Sequence, residues 1–282
     1  YGDTLFADPS LHRLPRICGQ VPNSSWTNTR LHLLLDDRWL KHSIILPFLT
    51  VASDTLASQN RLQDFEELVH DLEKFFFRVK SICDVAPREL KEIYFKHLTF
   101  MKYQKTLNLV SLRADLNNLV SQVAPDSIFV QKLVNRCVYG SVPEKNRTKY
   151  FLSMIETYSY SKPNALTPDK QLMFLDLSDW QLEHIVPQNP QSGGFSFSEP
   201  EVDQIGNLCL LPPDWNQFLS NYDYQQKRSI VASEIAKGHN LLVQDSNKIF
   251  TDPALANGPW DQHQHGLRVS DLTVRACQIF TI

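Results

Sequence analysis

Two short segments decide the fold of this 282-residue chain, LEHIVPQ at residues 182–188 and IGNLCLLP at residues 205–212. Each is a brief apolar stretch bounded by turn-forming residues, which is typical of a strand. We therefore predict strands at about residues 182–186 and 205–211. The sequence between them, NPQSGGFSFSEPEVDQ, is rich in turn formers and predicts a loop.

The rest of the chain has a mostly helical pattern. A predicted helix from Trp215 to Ala236 completes the order strand, loop, strand, helix. The clearest amphipathic repeat lies at residues 61–83, where apolar residues recur every three or four positions and indicate one long helix that ends at Asp84. Its apolar face comprises Leu62, Phe65, Leu68, Val69, Leu72, Phe75, Phe76 and Val79. The predicted fold class is α+β, mostly α-helical, with a small ββα core.

Composition changes along the chain predict four segments. They are a partly irregular lead-in at residues 1–43, a helical domain at 44–170, the ββα core at 171–236 and a C-terminal segment with a closing helix at 237–282. Other predicted helices lie at residues 31–58 with a break near Pro47, at 88–123, at 126–139, at 150–158 and at about 269–280.

Composition excludes several classes of protein. Hydrophobic residues make up 42% of the chain and charged residues 21%, which is ordinary for a globular protein with a core. No run of about 18 apolar residues is present, so we expect no membrane span. The five cysteines are scattered and form no CxxC pair, so we expect buried reduced thiols in a cytoplasmic protein and no zinc knuckle.

Four polar residues stand out in the predicted ββα region, namely Glu183, His184, Asn207 and Asn216. Hydrolysis of a phosphodiester bond needs a base for the attacking water, and a histidine suits that role near neutral pH. A hard cation such as Mg²⁺ stabilises the charge that develops on phosphate, and it prefers oxygen ligands. Glu183 and Asn216 offer a carboxylate and an amide oxygen for such a cation.

Adjacent residues on a regular strand point to opposite faces. Glu183 and His184 can therefore share one site only where the strand ends or bends. Pro187 follows closely and is consistent with such a break. Asn207, on the opposite strand of the predicted hairpin, is placed to orient the histidine.

These motifs resemble the C-terminal HNH nuclease domain of GmrSD-type proteins, which include modification-dependent restriction enzymes and SspE-like phosphorothioate-linked phage-defence proteins. The resemblance rests on the EHI-x-PQ residues at 183–188, the IGNL residues at 205–208, Asn216 and Lys227. Weaker similarity extends over about residues 44–158 and the closing helix. The chain is therefore expected to be the C-terminal part of a larger protein.

The resemblance implies a ββα-metal (HNH, or His-Me finger) core and a role for each motif residue. His184 is then the general base, Glu183 and Asn216 bind the metal, and Asn207 orients the site. The implied activity is endonuclease cleavage of DNA with little base specificity, as a nick or a double-strand cut.

Two further residues and the partners also follow from the resemblance. Lys227 is a candidate for a phosphate contact, and Asn221 is an alternative to Asn216 as the oxygen ligand. The implied cofactor is Mg²⁺, or Mn²⁺ in its place. The implied partners are DNA and an N-terminal regulatory domain, one that hydrolyses nucleotide in many relatives, in an antiviral or restriction setting.

The net charge of −3 hides a local basic region that is our candidate DNA-binding surface. Its residues are Lys96, Lys102, Lys105 and Arg113, with Lys145, Arg147 and Lys149 added from a later helix. Lysine and arginine there would give salt-sensitive affinity for phosphate. An ordinary charged helix face explains the same pattern equally well.

Two other functions remain open from the residues alone. One is a catalytically silent module that binds nucleic acid or another protein, and the other is a nuclease that cuts RNA. Metal-dependent cleavage that disappears in His184→Ala would exclude the first. A comparison of plasmid DNA with total RNA would separate the second.

Overall fold

A computed structural model describes residues 24–36, 39–40, 42–161, 177, 180–191, 196–239, 243–255 and 258–282. Most of the predicted lead-in, before residue 24, and residues 192–195 of the predicted loop lie outside the described residues. The chain splits into two compact units, Tyr1–Phe129 with Phe280–Ile282, and Val130–Ile279. The proposed division into four segments stays a prediction.

Unit 1 is helical. Its helices are α1 Ser24–Leu35, α2 Leu46–Ser58, α3 Leu62–Phe76, α4 Pro87–Gln104, α5 Leu109–Val123 and the first residues of α6 Asp126–Arg136. The lead-in was predicted to be partly irregular, yet α1 begins within it. The reason is long-range packing, because the leucines at the end of α1 are buried and Arg30 forms a buried ion pair with Glu73 of α3.

The long amphipathic helix predicted at residues 61–83 is confirmed. Phe65, Leu68 and Leu72 of α3 are buried, as the repeat requires. The helix continues as a π-helical segment at Phe77–Ile82 and ends before Asp84, which has a φ of 57°. A left-handed residue at this point stops the helix.

Unit 2 carries the predicted hairpin among helices. It contains the end of α6, then α7 Val142–Ser161, β1 Gln181–His184, β2 Leu208–Leu211, α8 Pro213–Leu219, α9 Tyr224–Ala236, α10 Gln244–Thr251 and α11 Gln262–Ile279. The strands pair antiparallel, with His184 opposite Leu208 and Gln181 opposite Leu211. The fold is therefore mostly helical with one small two-stranded sheet.

Helix boundaries in unit 2 differ from the predicted ones because local capping decides them. The helix predicted from Trp215 to Ala236 is two helices, broken at Ser220, which has a φ of 39°. A new helix starts after Asp223, whose side chain accepts from the backbone amide of Gln226 at 2.9 Å. In return, the side-chain oxygen of Gln226 accepts from the backbone amide of Asp223 at 3.1 Å. This reciprocal capping box fixes the start of α9.

Helix α7 begins well before the predicted residue 150. The Ser141 amide and hydroxyl both donate to Glu144 Oε2 at 2.7 Å, which satisfies groups at the start of the helix. The S-x-x-E spacing of Ser141 and Glu144 is a capping signal that the periodicity analysis overlooked.

Strand β2 is tied to its surroundings by buried polar groups. Ser246 Oγ donates to the Leu210 carbonyl at 2.7 Å, and Arg268 donates to the Leu208 carbonyl at 3.1 Å. Arg268 also pairs with Asp245 at 2.7 Å. Because α10 and α11 hold the backbone of β2 from outside the hairpin, the hairpin has a fixed position within unit 2.

Three of the described cysteines, Cys83, Cys137 and Cys209, are buried as predicted, whereas Cys277 is half-buried and Cys18 lies outside the described residues. None of the helices in the described part of the chain combines the length and the apolar character needed to cross a bilayer.

Candidate active site

The hairpin places His184 at the very end of β1. The ladder pairs His184 with Leu208, and the next amide, that of Ile185, donates to the Asn207 carbonyl at 2.9 Å. The chain then leaves the strand. The predicted strand end therefore lies directly after His184, but Glu183 and His184 are both paired within the ladder, and their sharing of one site stays a prediction.

Asn207 fixes the backbone on both sides of this strand end. Its side chain is fully buried, accepts from the Val186 amide at 2.9 Å, and donates to the carbonyls of Val186 at 2.8 Å and Val202 at 2.9 Å. Asn207 thus joins the segment after His184 to the turn that precedes β2. Its side chain is used for these backbone contacts and does not reach outward.

His184 is held by a carboxylate that the sequence reading did not select. His184 Nε2 lies 2.9 Å from Asp203 Oδ1, and the same oxygen accepts from Gln188 Nε2 at 2.8 Å. Asp203 lies in a short 3₁₀ turn at Glu201–Asp203, just before the Asn207 turn. The imidazole is therefore oriented through Nε2, and Nδ1 has no hydrogen-bond partner among the described residues.

The imidazole is mostly buried, with its side chain 12% exposed. Burial lowers the pKa of His184 from its ordinary value, the charges of Lys227 and Lys145 act in the same direction, and the bond to Asp203 opposes them. A lowered pKa keeps the imidazole neutral near pH 7, which is the form that accepts a proton. The arrangement suits a general base.

Tyr139 completes the surroundings of His184. Its ring meets the His184 ring edge-on with centroids 4.5 Å apart, and its amide donates to the Asp203 carbonyl at 2.8 Å. Lys145 Nζ lies 4.0 Å from the centre of the Tyr139 ring. One tyrosine therefore contacts both members of the His184–Asp203 pair and carries a lysine on its ring.

The side chain of Glu183 faces α9, away from Asp203. Lys227 Nζ donates to Glu183 Oε1 and to the His184 carbonyl, each at 2.5 Å. Lys227 is fully buried, so it holds the end of β1 and does not face solvent as a phosphate contact would. Burial raises the pKa of Glu183, against the opposing charge of Lys227.

Asn216, in α8, lies beside the first residue of β1. Its Nδ2 donates to Gln181 Oε1 at 2.5 Å, while its Oδ1 is buried and has no partner among the described residues. Gln181 and Glu183 are two residues apart on β1 and so share one face. The carboxylate and the unpartnered amide oxygen are the donor types that Mg²⁺ prefers.

Part of the chain that contains this geometry matches a known protein-family model. The model for the C-terminal domain of GmrSD restriction endonucleases matches residues 123–265, which is half of the chain. The chain belongs to this family. A comparison with curated proteins finds no match.

The GmrSD C-terminal domain match contains every residue of the hairpin site, from Tyr139 to Lys227. It therefore confirms the family that the motifs at 183–188 and 205–208 predicted. The name of the family indicates a nuclease of the restriction type. In the part of the chain that the structure describes, no three His, Cys, Asp or Glu side chains cluster as a metal site.

The remaining candidates are Asn221 and the basic residues of unit 1. Asn221 is exposed in the turn after α8, and its carbonyl accepts from the Gln191 amide at 3.0 Å. The basic residues predicted to bind DNA in unit 1 lie before the family match.

Two of those basic residues are already paired. Lys96 Nζ lies 2.6 Å from Asp115, and Arg113 lies 2.6 Å from Asp71 and 3.0 Å from Glu67. Lys102 and Lys105 are exposed. This surface stays a prediction, with two of its four cations in unit 1 neutralised by neighbours.

Sequence reasoning missed Asp203, Tyr139 and the position of Lys145 beside them. Asp203 sits in a stretch of turn formers, where an acidic residue carries no signal of its own. Tyr139 precedes the hairpin by more than forty positions, and no local pattern connects it to His184. The isolated bridge between Val138 and Gln204 brings them together.

Proposed function

We propose that this GmrSD C-terminal domain is a divalent-metal-dependent endonuclease that hydrolyses DNA phosphodiester bonds, with His184 as the general base. One observation carries the proposal, namely the contact of His184 Nε2 with Asp203 at the end of β1. It leaves a neutral imidazole with a free Nδ1 in a fixed orientation. This is the arrangement a base needs in order to take a proton from water.

In the proposed mechanism His184 Nδ1 accepts the proton of the attacking water, and the Asp203 carboxylate stabilises the imidazolium that forms. Lys227 holds the carbonyl of His184 and Asn207 holds the backbone of Val186, two residues on, so the imidazole does not have to be ordered during the reaction. Tyr139 covers one edge of the ring and limits access of bulk water.

The oxygen donors near β1 fit a hard cation. Glu183 uses only Oε1 for Lys227, and the buried Asn216 Oδ1 is an acceptor without a donor among the described residues. These two groups would hold Mg²⁺ or Mn²⁺, which would supply charge stabilisation at the phosphate oxygens. Mg²⁺ retains several waters, so two protein oxygens suffice.

Supercoiled plasmid is the substrate that tests this proposal. Wild-type protein with Mg²⁺ or Mn²⁺ should give relaxed or linear DNA, EDTA should stop the reaction, and His184→Ala should slow it by about 10²-fold or more. The matched control is His263→Ala, because His263 is an exposed histidine of the same unit. A single site of this type cuts one strand at a time, so relaxed plasmid should appear first.

Two results would contradict the proposal. One is cleavage that survives in His184→Ala, and the other is a wild-type protein that is inactive with both metals. Total RNA as a parallel substrate separates the RNA-cutting alternative, which preferential RNA cleavage would support. The larger setting, an effector domain of a restriction or antiviral protein that acts with an N-terminal domain, belongs to the same proposal.

A further inference from the structure

Two lysines of α7, the first of which lies on the Tyr139 ring beside the candidate base, have no carboxylate partner among the described residues. Lys145 and Lys149 are four residues apart, so they project from the same face of the helix. Both are half-buried, and neither takes part in an ion pair with any residue that the structure describes. Their neighbour Arg147 differs, because it donates to the Arg136 carbonyl at 2.9 Å.

Lys145 of this pair contacts the surroundings of the candidate base through one aromatic ring. Its Nζ lies over the Tyr139 ring, which in turn packs edge-on with His184, so one ring contacts both the ammonium and the imidazole. The charge of Lys145 acts on His184 and helps to lower its pKa. Lys149 follows one helical turn along the same face of α7.

The pair is electrostatically uncompensated. The pKa of Lys149 is lowered, first by burial and then by the charge of Lys145. Asp203 is the nearby carboxylate, but its Oδ1 already binds His184 and Gln188. Glu144, next to Lys145, is bonded to Ser141. Two like charges in this position are relieved by an anion that arrives with the substrate.

We propose that Lys145 and Lys149 form a phosphate-binding pair that holds the DNA backbone beside His184. The inference rests on the proposed nuclease function and names its substrate contact. It places the essential phosphate contacts on α7, within the family match, and not on the paired cations of α4 and α5. Contacts of this kind give affinity that depends on salt and not on base sequence.

Binding and cleavage are measured separately so that the two proposals can fail separately. Binding of a fluorescent duplex is followed by anisotropy in the His184→Ala background over a range of salt concentrations. The double change Lys145→Gln and Lys149→Gln should weaken binding by roughly tenfold or more. It should also reduce the slope of log K against log salt by about 1.8, because each lost phosphate contact removes about 0.9.

Two matched variants separate a specific contact from a general loss of charge or fold. Lys248→Gln removes the same charge from an exposed residue of the same unit and should change binding little. Lys145→Arg with Lys149→Arg keeps both charges and should restore most of the affinity. In the cleavage assay, the glutamine variants should raise KM more than they lower kcat.

Several results overturn the phosphate-binding pair. They are an unchanged salt slope in the double glutamine variant, an equal loss in Lys248→Gln, or a parent protein that shows no salt-dependent DNA binding. A loss of binding to duplex RNA but not to DNA overturns it as well. Normal DNA binding with no cleavage by the protein that retains His184 would remove the nuclease proposal and leave the lysine pair standing.

Discussion

At the scale of single residues, the site depends on contacts between positions far apart in sequence. His184 was identifiable because it stands in an EHI-x-PQ motif, and Asn207 because it stands in IGN. Asp203 carries no such signal, since an acid among turn formers is ordinarily a surface residue. Only the fold, which brings the turn at Glu201–Asp203 to the end of β1, shows that Asp203 binds His184.

The Asp203–His184 contact leads to a kinetic prediction. Asp203→Asn should lower kcat for plasmid cleavage by about 10- to 100-fold, because partners that orient an active-site histidine have effects of that size. KM should stay nearly unchanged, since Asp203 orients the base and does not bind DNA. The assay is initial cleavage rate against plasmid concentration.

The control for this change lies in the same turn. Glu201→Gln alters an acid that accepts from Ser198 Oγ at 3.0 Å and does not contact His184. It should leave kcat within a factor of about two, on the order of a surface substitution. Equal effects of the two variants, or an Asp203→Asn effect confined to KM, would mean that Asp203 does not position the base.

At the scale of elements, the sequence predicted what repeats and apolar runs determine. The amphipathic α3 and the two strands were visible, because each has a period or a compact apolar stretch. Exact boundaries depended on groups that periodicity ignores. Residues 205–207 were expected to begin a strand, but they form a 3₁₀ turn, because Asn207 turns its side chain into the backbone of the preceding loop.

The contact of α11 with this turn explains why residue 206 is glycine. A Cβ on Gly206 would lie 2.5 Å from His265 Cδ2 and 2.8 Å from Val269 Cγ2. His265 is buried in α11 and packs on the turn. Helix α11 thus approaches the backbone beside Asn207 more closely than any side chain at 206 would allow.

Gly206→Ala should therefore destabilise the protein by about 1–3 kcal/mol, the usual cost of overpacking. A lower Tm in thermal unfolding would show it, and plasmid cleavage should fall as the Asn207 turn shifts. Gly266→Ala is the matched control in the same helix, where a Cβ meets no described atom within 4 Å. That change should raise stability by roughly 0.8–1 kcal/mol, as alanine does for glycine in a helix.

The two outcomes together decide the interpretation. A fall in Tm for Gly206→Ala with a rise for Gly266→Ala supports close packing of α11 on the turn. Equal changes in Tm for both variants would mean that α11 shifts to accept a Cβ at residue 206 without loss of stability. His265→Ser added to Gly206→Ala should recover part of the loss, since it removes the shorter of the two contacts.

At the scale of the whole molecule, the family match and the unit division cover different parts of the chain. Unit 2 starts at Val130 and holds every residue of the proposed active site, while the match spans residues 123–265. The sequence pattern predicted the mostly helical class, but it gave no unit boundary. That boundary falls inside α6, where the helical pattern continues without interruption.

Each unit contains a buried titratable side chain whose charged form is disfavoured by burial. The two side chains make the stability of the fold depend on pH in opposite directions. In unit 1, burial and the charge of Lys80 lower the pKa of His42 from 6.5 to about 3. The unfolded chain then binds the proton first, so stability falls as pH drops below about 6.5.

In unit 2, burial and the charge of Asp245 raise the pKa of Glu156 from 4.5 to about 8. Its contribution is present below about pH 4.5 and is lost as pH rises towards 8.

Paired variants test these opposite dependences by thermal unfolding. His42→Phe keeps the stack on Phe76, whose ring centroid lies 4.1 Å away, and removes the titration. Between about pH 6.5 and pH 5, the variant should therefore lose about 2 kcal/mol less of its free energy of unfolding than the wild type does. The reason is that each unit of pH changes this free energy by about 1.4 kcal/mol. Glu156→Gln retains an oxygen that can accept from the amides of Asp245 and Ser246. Its stability relative to the wild type should increase from about pH 5 to pH 8. Parallel pH profiles for both variants and the wild type would show that neither group controls stability, whereas crossing profiles would assign acid sensitivity to His42 and alkaline sensitivity to Glu156.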